Sequence, residues 1–144
     1  MGSTGKLMVN MLVSGPYAEY CGKRFLILFS GDDWVALRTG PDMEVPNALE
    51  RGESRPGTLY AATWAKVATS ALDGIVDVEV TGTLAGHRVS LRNLLSDGRI
   101  RVWFIGDPAV AEVLGLTGDR HDGWTGFFSQ TDFHDIQVEE TRRG

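Results

Sequence analysis

An alternation of apolar and polar residues from 76 to 105 limits the possible folds more than any other feature of this sequence. Successive side chains of a strand point to opposite faces, so a period of two predicts strands with one apolar face. The alternation runs through three segments, at 76–81, 87–92 and 100–105. Turn residues separate them, at Ala85-Gly86 and at Asp97-Gly98. The sequence therefore predicts an antiparallel meander of three strands.

Segment 58–73 is predicted to be the main helix. Thr58 is a residue type that caps helix N-termini, and Gly74 suits the left-handed position after a helix end. Apolar residues at helical spacing form one stripe: Tyr60, Trp64, Val67, Ala68 and Ala71. We expect this stripe to pack on the apolar face of the meander. A second, short helix is predicted at 107–114, capped by Asp107.

Further strands are predicted on both sides of these elements. They comprise a possible first strand at Leu7–Val13, a hairpin of Arg24–Ser30 with Trp34–Thr39, and a final pair at Trp124–Ser129 and Ile136–Thr141. Between the hairpin and the helix, residues 40–57 are rich in proline and glycine, which predicts an irregular crossover with one helical turn at Asn47–Arg51.

The predicted fold class is α+β, mainly an antiparallel sheet of about 6–7 strands with the two helices. The length of 144 residues is common for one domain, so we expect residues 1–144 to form a single globular domain. Residues 1–5 are small and are predicted to be a flexible leader, which an expression vector could have supplied.

Charge and cysteine content exclude several classes of function. The net charge is −5, with no basic patch, so nucleic acid is not an expected partner. Cys21 is the only cysteine and cannot form an internal disulfide, and no convincing signal peptide precedes it. No apolar run reaches the length of about 18–20 residues that a membrane span needs. We therefore expect a cytoplasmic protein, without membrane association and without a cofactor.

Two similar tetrapeptides each place a histidine between carboxylates. They are Asp119-Arg120-His121-Asp122 and Asp132-Phe133-His134-Asp135. Imidazole and carboxylate groups bind zinc and other transition metals, so His121, Asp122, Asp132 and His134 form an alternative metal site. The competing interpretation is that both segments are polar turns that flank the strand at Trp124–Ser129, because neither matches a known metal-binding spacing.

Aromatic and charged residues on strand faces and loops indicate a binding surface. Arg101 and Trp103 share the polar face of their strand, and arginine and tryptophan are enriched where interfaces gain most of their binding energy. A second candidate is the acidic and aromatic stretch from Asp119 to Trp124, with His121 and Asp122. An acidic surface would favour association with a basic partner.

The layout of the chain resembles actinobacterial immunity proteins of polymorphic toxin systems. The features that carry this resemblance are the early hairpin at Phe25–Leu28 and Trp34–Leu37, the Gly-Asp-Pro-led helix in Gly106–Leu116, and the Gly-Trp-x-Gly segment at Gly123–Gly126. The resemblance implies a non-enzymatic cytoplasmic protein that neutralises a toxin by covering its active site. It implies no shared catalytic residues.

Three classes of function follow. The first is a protein-binding inhibitor or immunity protein, with an interface at Arg101 and Trp103 or at Asp119–Trp124. The second is an enzyme or small-ligand domain that uses the two Asp-x-His-Asp segments. The third is a subunit of a larger assembly, and the sequence leaves the oligomeric state open.

Overall fold

A computed structural model of the chain describes residues 13–40 and 43–143. The predictions for residues 1–5 and for nearly all of Leu7–Val13 lie outside the described residues. In the described part of the chain, 58% of the residues are in strands and 10% in helices.

The described residues form eleven strands and one α-helix. The strands are β1 Gly15–Tyr20, β2 Lys23–Ser30, β3 Trp34–Thr39, β4 Glu50–Ser54, β5 Ala62–Ala68, β6 Gly74–Leu84, β7 His87–Leu94, β8 Ile100–Phe104, β9 Thr117–Asp119, β10 Gly123–Phe128 and β11 Phe133–Arg142. The helix is α1, Pro108–Leu114, and 3₁₀ turns lie at Thr69–Ala71 and Gln130–Asp132. All strand pairs with a described register are antiparallel.

Two compact units make up the described chain. Unit A contains residues 15–40, 43–78 and 140–143, and its strand order is β4-β5-β3-β2-β1 followed by the first half of β6. Its core is formed by side chains from four of these strands and from the loop before β4: Ala18, Tyr20, Phe25, Val35, Leu37, Val45, Ala65 and Val67.

Unit B contains residues 79–139 together with Val13 and Ser14. Its strand order is the second half of β6, then β7-β8-β10-β9. The apolar residues of the alternating pattern are its buried residues, among them Val80, Val89, Leu91, Ile100 and Val102. The predicted meander is thus present as β6, β7 and β8, because alternation over three turn-separated segments favours half-buried strands that pair in sequence.

The short helix predicted at 107–114 is also present. The Asp107 carboxylate accepts a hydrogen bond from the backbone N–H of Ala109 at 2.9 Å, and Gly115 ends the helix in the left-handed conformation with φ 75°. Both ends of α1 therefore follow the chemistry that its sequence indicates.

The predicted main helix at 58–73 is wrong, because its central residues form strand β5. β5 lies between β3 and β4, which satisfy its backbone groups on both sides. Ala65 and Val67 are fully buried, whereas Trp64 and Lys66 lie on the opposite face. Alanine has the highest intrinsic helix propensity, but pairing with two neighbouring strands overrides it here, since tertiary context outweighs intrinsic propensity.

The α+β class with about 6–7 strands is also wrong, since the chain is mostly antiparallel sheet with eleven strands. Segment 40–57 is predicted to be irregular with one helical turn at Asn47–Arg51, yet residues 47–51 are not helical and the segment contains β4, a charged strand at the edge of the sheet order. The pair Gly15-Pro16 predicts a break in the chain, yet β1 begins there. Proline is tolerated near the first residue of a strand. The predicted final strands exist, but β10 pairs with β8 and β9 and β11 pairs with β6.

Candidate protein-binding surface

The polar face of unit B carries Arg101 and Trp103 side by side. In the sheet register, Trp103 of β8 lies opposite Ser90 of β7 and opposite Thr125 of β10. Residues at directly opposed positions point to the same face, so the small hydroxyl side chains of Ser90 and Thr125 lie on either side of the indole. Trp103 and Arg101 are both half-buried. The sequence prediction that they share one partly exposed face agrees with this placement.

Trp103 is held in place by two contacts. Its indole Nε1 donates a hydrogen bond to the backbone oxygen of Asp122 at 3.1 Å. The guanidinium carbon of Arg92 lies 4.7 Å from the centre of the ring. The indole also passes close to Gly123, where an added Cβ would lie 2.4 Å from Nε1. The absence of a side chain at residue 123 therefore permits this ring position.

The first Asp-x-His-Asp segment is the turn between β9 and β10. One carboxylate oxygen of Asp119 accepts hydrogen bonds from the backbone N–H of His121 at 2.9 Å and of Asp122 at 2.7 Å. This is the local side-chain-to-backbone bonding by which aspartate stabilises turns. His121 and Asp122 are exposed. The hydrogen bond from Trp103 to Asp122 makes the two predicted interface segments into one continuous surface.

Trp124, which the sequence also places in the interface, lies in the core. It is only 7% exposed, and its ring lies 6.2 Å from that of Phe104. The alternation explains this difference, because Trp124 and Phe104 are opposed residues on the apolar face. We define the Trp103 surface as Trp103, Arg92, Asn93, Arg101 and Asp122.

Arginines give the Trp103 surface a local positive charge. Arg101 donates a hydrogen bond from Nη1 to the side-chain oxygen of Asn93 at 3.1 Å. The Nε of Arg92 is buried and is without a hydrogen-bond partner in the described part of the chain. Neither arginine forms a salt bridge there. Arg99, near one end of this surface, is already paired with Asp97 at 2.8 Å.

The second Asp-x-His-Asp segment has a structural use as well. The carboxylate of Asp132 accepts a hydrogen bond from the backbone N–H of Ser129 at 3.0 Å and completes a capping box for the 3₁₀ turn. The two segments lie beyond opposite ends of β10, a strand whose length corresponds to roughly 17–20 Å. Among residues 13–40 and 43–143, no group of three or more potential ligands is placed to hold a metal ion.

Sequence reasoning missed the role of Arg92. The polar face of β7 was evident from the alternation, but a register shift between Leu91 and Asn93 was not. After this bulge Asn93, rather than Arg92, is opposite Arg101, which leaves Arg92 free of a cross-strand partner and near Trp103. A bulge adds one residue to one strand and leaves no compositional signal here.

A second aromatic cluster lies in unit A and differs in one respect. The Phe29 ring makes edge contacts with Trp34 at 5.9 Å and with Trp64 at 5.4 Å. Lys66 covers Trp34 with its ammonium 4.1 Å from the ring, and it is paired with Glu50 at 3.1 Å. The cation of this cluster thus has a carboxylate partner already, whereas Arg92 and Arg101 have no such partner among the described residues.

Comparisons with protein-family models, with curated proteins and with solved structures found no match to this chain. Within residues 13–40 and 43–143, no helix has the length and apolar character needed to cross a membrane.

Proposed function

We propose that this chain is a non-enzymatic protein-binding domain that acts as an inhibitor or immunity protein and neutralises a partner toxin by covering its active site. The observation that carries the proposal is the half-buried Trp103 on a polar sheet face, with arginines beside it. Tryptophan and arginine are the residues most enriched among those that dominate binding energies. A half-buried tryptophan with arginines beside it on a polar face therefore supports a protein interface at this place.

The geometry around Trp103 favours a preformed binding surface. Its ring is fixed by the hydrogen bond to Asp122, and the backbone beneath it belongs to a strand paired on both sides. A rigid anchor loses little conformational entropy when a partner binds. The immunity role follows from the resemblance in layout and is the part of the proposal that an assay of toxin neutralisation decides.

The rival enzyme proposal, with His121, Asp122, Asp132 and His134 as metal ligands, has less support. The carboxylates of Asp119 and Asp132 accept hydrogen bonds from backbone N–H groups in turns. Both histidines are exposed, whereas a metal-binding histidine is usually oriented by a hydrogen bond from its other ring nitrogen. We therefore rank the protein-binding proposal above it.

Co-expression with the gene that neighbours this one tests the proposal. If the neighbour encodes a toxin, its expression alone should stop growth, and this chain should restore it. Trp103→Ala should abolish the rescue. Leu49→Ala is the matched control, because Leu49 is a 64% exposed apolar residue in unit A and its loss should leave the rescue intact. A neighbour that is harmless, or a rescue that survives Trp103→Ala, would contradict the proposal.

A further inference from the structure

Neither arginine of the Trp103 surface forms a salt bridge with a carboxylate of the described chain. Arg92 lies against the indole with its Nε buried and unpartnered, and Arg101 uses one nitrogen on Asn93. A guanidinium has five N–H donors in a planar fork that matches a carboxylate. Arg101 is half-buried and uses one donor on Asn93, so its other N–H groups can bind an acceptor that a partner supplies.

We propose that the Trp103 surface binds an acidic protein segment, whose carboxylate is held by Arg92 and Arg101 beside the indole. This inference rests on the proposed protein-binding function and names the chemistry of the partner. It reverses the expectation, drawn from the net charge of −5, that the partner is basic. The charge of a whole chain influences long-range steering, whereas complementarity at the contact is set by the groups that meet there.

A nucleic acid is the other anionic partner that arginines and aromatics could bind, and the ring contacts argue against it. Single-stranded nucleic acids stack their bases on open aromatic faces. The guanidinium of Arg92 covers a face of Trp103, and that of Arg99 lies 5.3 Å from the centre of the Phe127 ring. One face of the Trp103 ring is thus covered by a guanidinium, and a second guanidinium lies near the Phe127 ring. An acidic peptide needs only the guanidinium groups and the indole edge.

The experiment is a titration of the ¹⁵N-labelled chain with three probes of equal length: poly-L-glutamate, poly-L-lysine and poly-dT. We expect poly-L-glutamate to shift the indole N–H signal of Trp103 and the Nε–H signal of Arg92. Poly-L-lysine and poly-dT should leave both signals in place. Arg92→Gln combined with Arg101→Gln should weaken poly-L-glutamate binding at least tenfold.

Arg55→Gln is the matched control. Arg55 also lies over an aromatic ring, 5.7 Å from the centre of Tyr60, but it belongs to unit A. The same loss of charge there should leave poly-L-glutamate binding unchanged. If the double glutamine variant does not fold, Arg92→Lys with Arg101→Lys keeps the charge and removes the planar fork. That variant should retain the fold and still lose most of the affinity.

Three outcomes would overturn the inference: no shift at Trp103 or Arg92 with poly-L-glutamate, equal binding by wild type and the arginine variants, or binding of poly-dT through the same signals. These results are separable from failure of the proposed function. If a protein partner binds wild type, fails to bind Trp103→Ala and binds the arginine variants normally, the protein-binding function is supported and the proposed carboxylate contact is contradicted. If poly-L-glutamate binds as expected but no protein partner depends on Trp103, the carboxylate contact is supported and the proposed protein-binding function is contradicted.

Discussion

Gly123 controls the position of Trp103 at the scale of single residues. It adopts φ 87°, and an added Cβ would lie 2.4 Å from the indole Nε1. We predict that Gly123→Ala destabilises the fold by about 1–3 kcal/mol and displaces the indole, because backbone strain and a side-chain clash act together. Chemical denaturation measures the first effect, and the ¹⁵N shift of the Trp103 indole measures the second.

Gly86 provides the control for that substitution. It has nearly the same φ, 86°, but no atom lies within 4 Å of an added Cβ. Gly86→Ala should cost only the backbone strain, about 1 kcal/mol, and leave the indole signal unchanged. Equal effects of both substitutions on the Trp103 signal would show that Gly123 does not set the ring position.

Glu19 has the most strongly lowered carboxyl pKa among the described residues. Hydrogen bonds from Arg142 and Arg24 lower the pKa of its carboxyl from 4.5 to about 2. A carboxyl with a lowered folded-state pKa binds protons more readily when unfolded, so its stabilisation is present above the unfolded pKa. It is lost as the pH falls through the folded pKa.

We therefore predict a loss of stability between about pH 4.5 and pH 2 that depends on Glu19. Urea unfolding at a series of pH values should show it for wild type. Glu19→Gln removes the titrating group, so the variant should be less stable at neutral pH and show a shallower decline over this interval. Parallel curves for both proteins would contradict the role of Glu19.

At the scale of elements, substitutions in and near β5 distinguish the observed strand from the helix predicted at 58–73. Ala65 lies off the helical stripe but is fully buried in the strand, whereas Ala71 lies on the stripe but is exposed. We predict that Ala65→Asp destabilises the protein by at least about 3 kcal/mol, since it buries a carboxylate. Ala71→Asp should change stability by less than about 0.5 kcal/mol. Thermal unfolding distinguishes the two, and the reverse order would favour the helix.

The turn between β9 and β10 depends on the Asp119 carboxylate. Asp119→Ala should remove two side-chain-to-backbone hydrogen bonds and cost about 1 kcal/mol, as the loss of a capping residue does. His121→Ala should leave stability unchanged, because the hydrogen bond in this turn uses its backbone N–H. Adding ZnCl₂ should not raise the melting temperature of the wild-type chain. A zinc-dependent rise that His121→Ala abolishes would revive the metal-site proposal.

How far the sequence predicted each element depended on where the information lay. The meander and α1 were predictable, because period, turns and caps are local signals, as at Asp107. β5 was not, since Trp64 and Val67 fit helical spacing and their strand state depends on pairing with β3 and β4. The placement of Arg101 and Trp103 on the same face of β8 was predictable from the alternation. The role of Arg92 was not, because it depends on a bulge in β7.

At the scale of the whole molecule, the described chain is mostly antiparallel sheet, and the net charge of −5 of the sequence coexists with a Trp103 surface that carries two arginines and one aspartate. This separation allows an acidic chain to offer a local site for carboxylates. Added salt should accordingly weaken binding of the proposed acidic partner, because screening reduces the attraction of partly exposed charges. Isothermal titration with poly-L-glutamate at increasing NaCl measures this, and salt-independent affinity would contradict it.

The central claim is that this chain binds a protein through the Trp103 surface. The most direct test is an affinity capture from the source organism with three baits, namely wild type, Trp103→Ala and Leu49→Ala, followed by quantitative mass spectrometry. We predict one protein that wild type and Leu49→Ala recover equally and that Trp103→Ala loses at least tenfold. If no recovered protein depends on Trp103, the claim is contradicted.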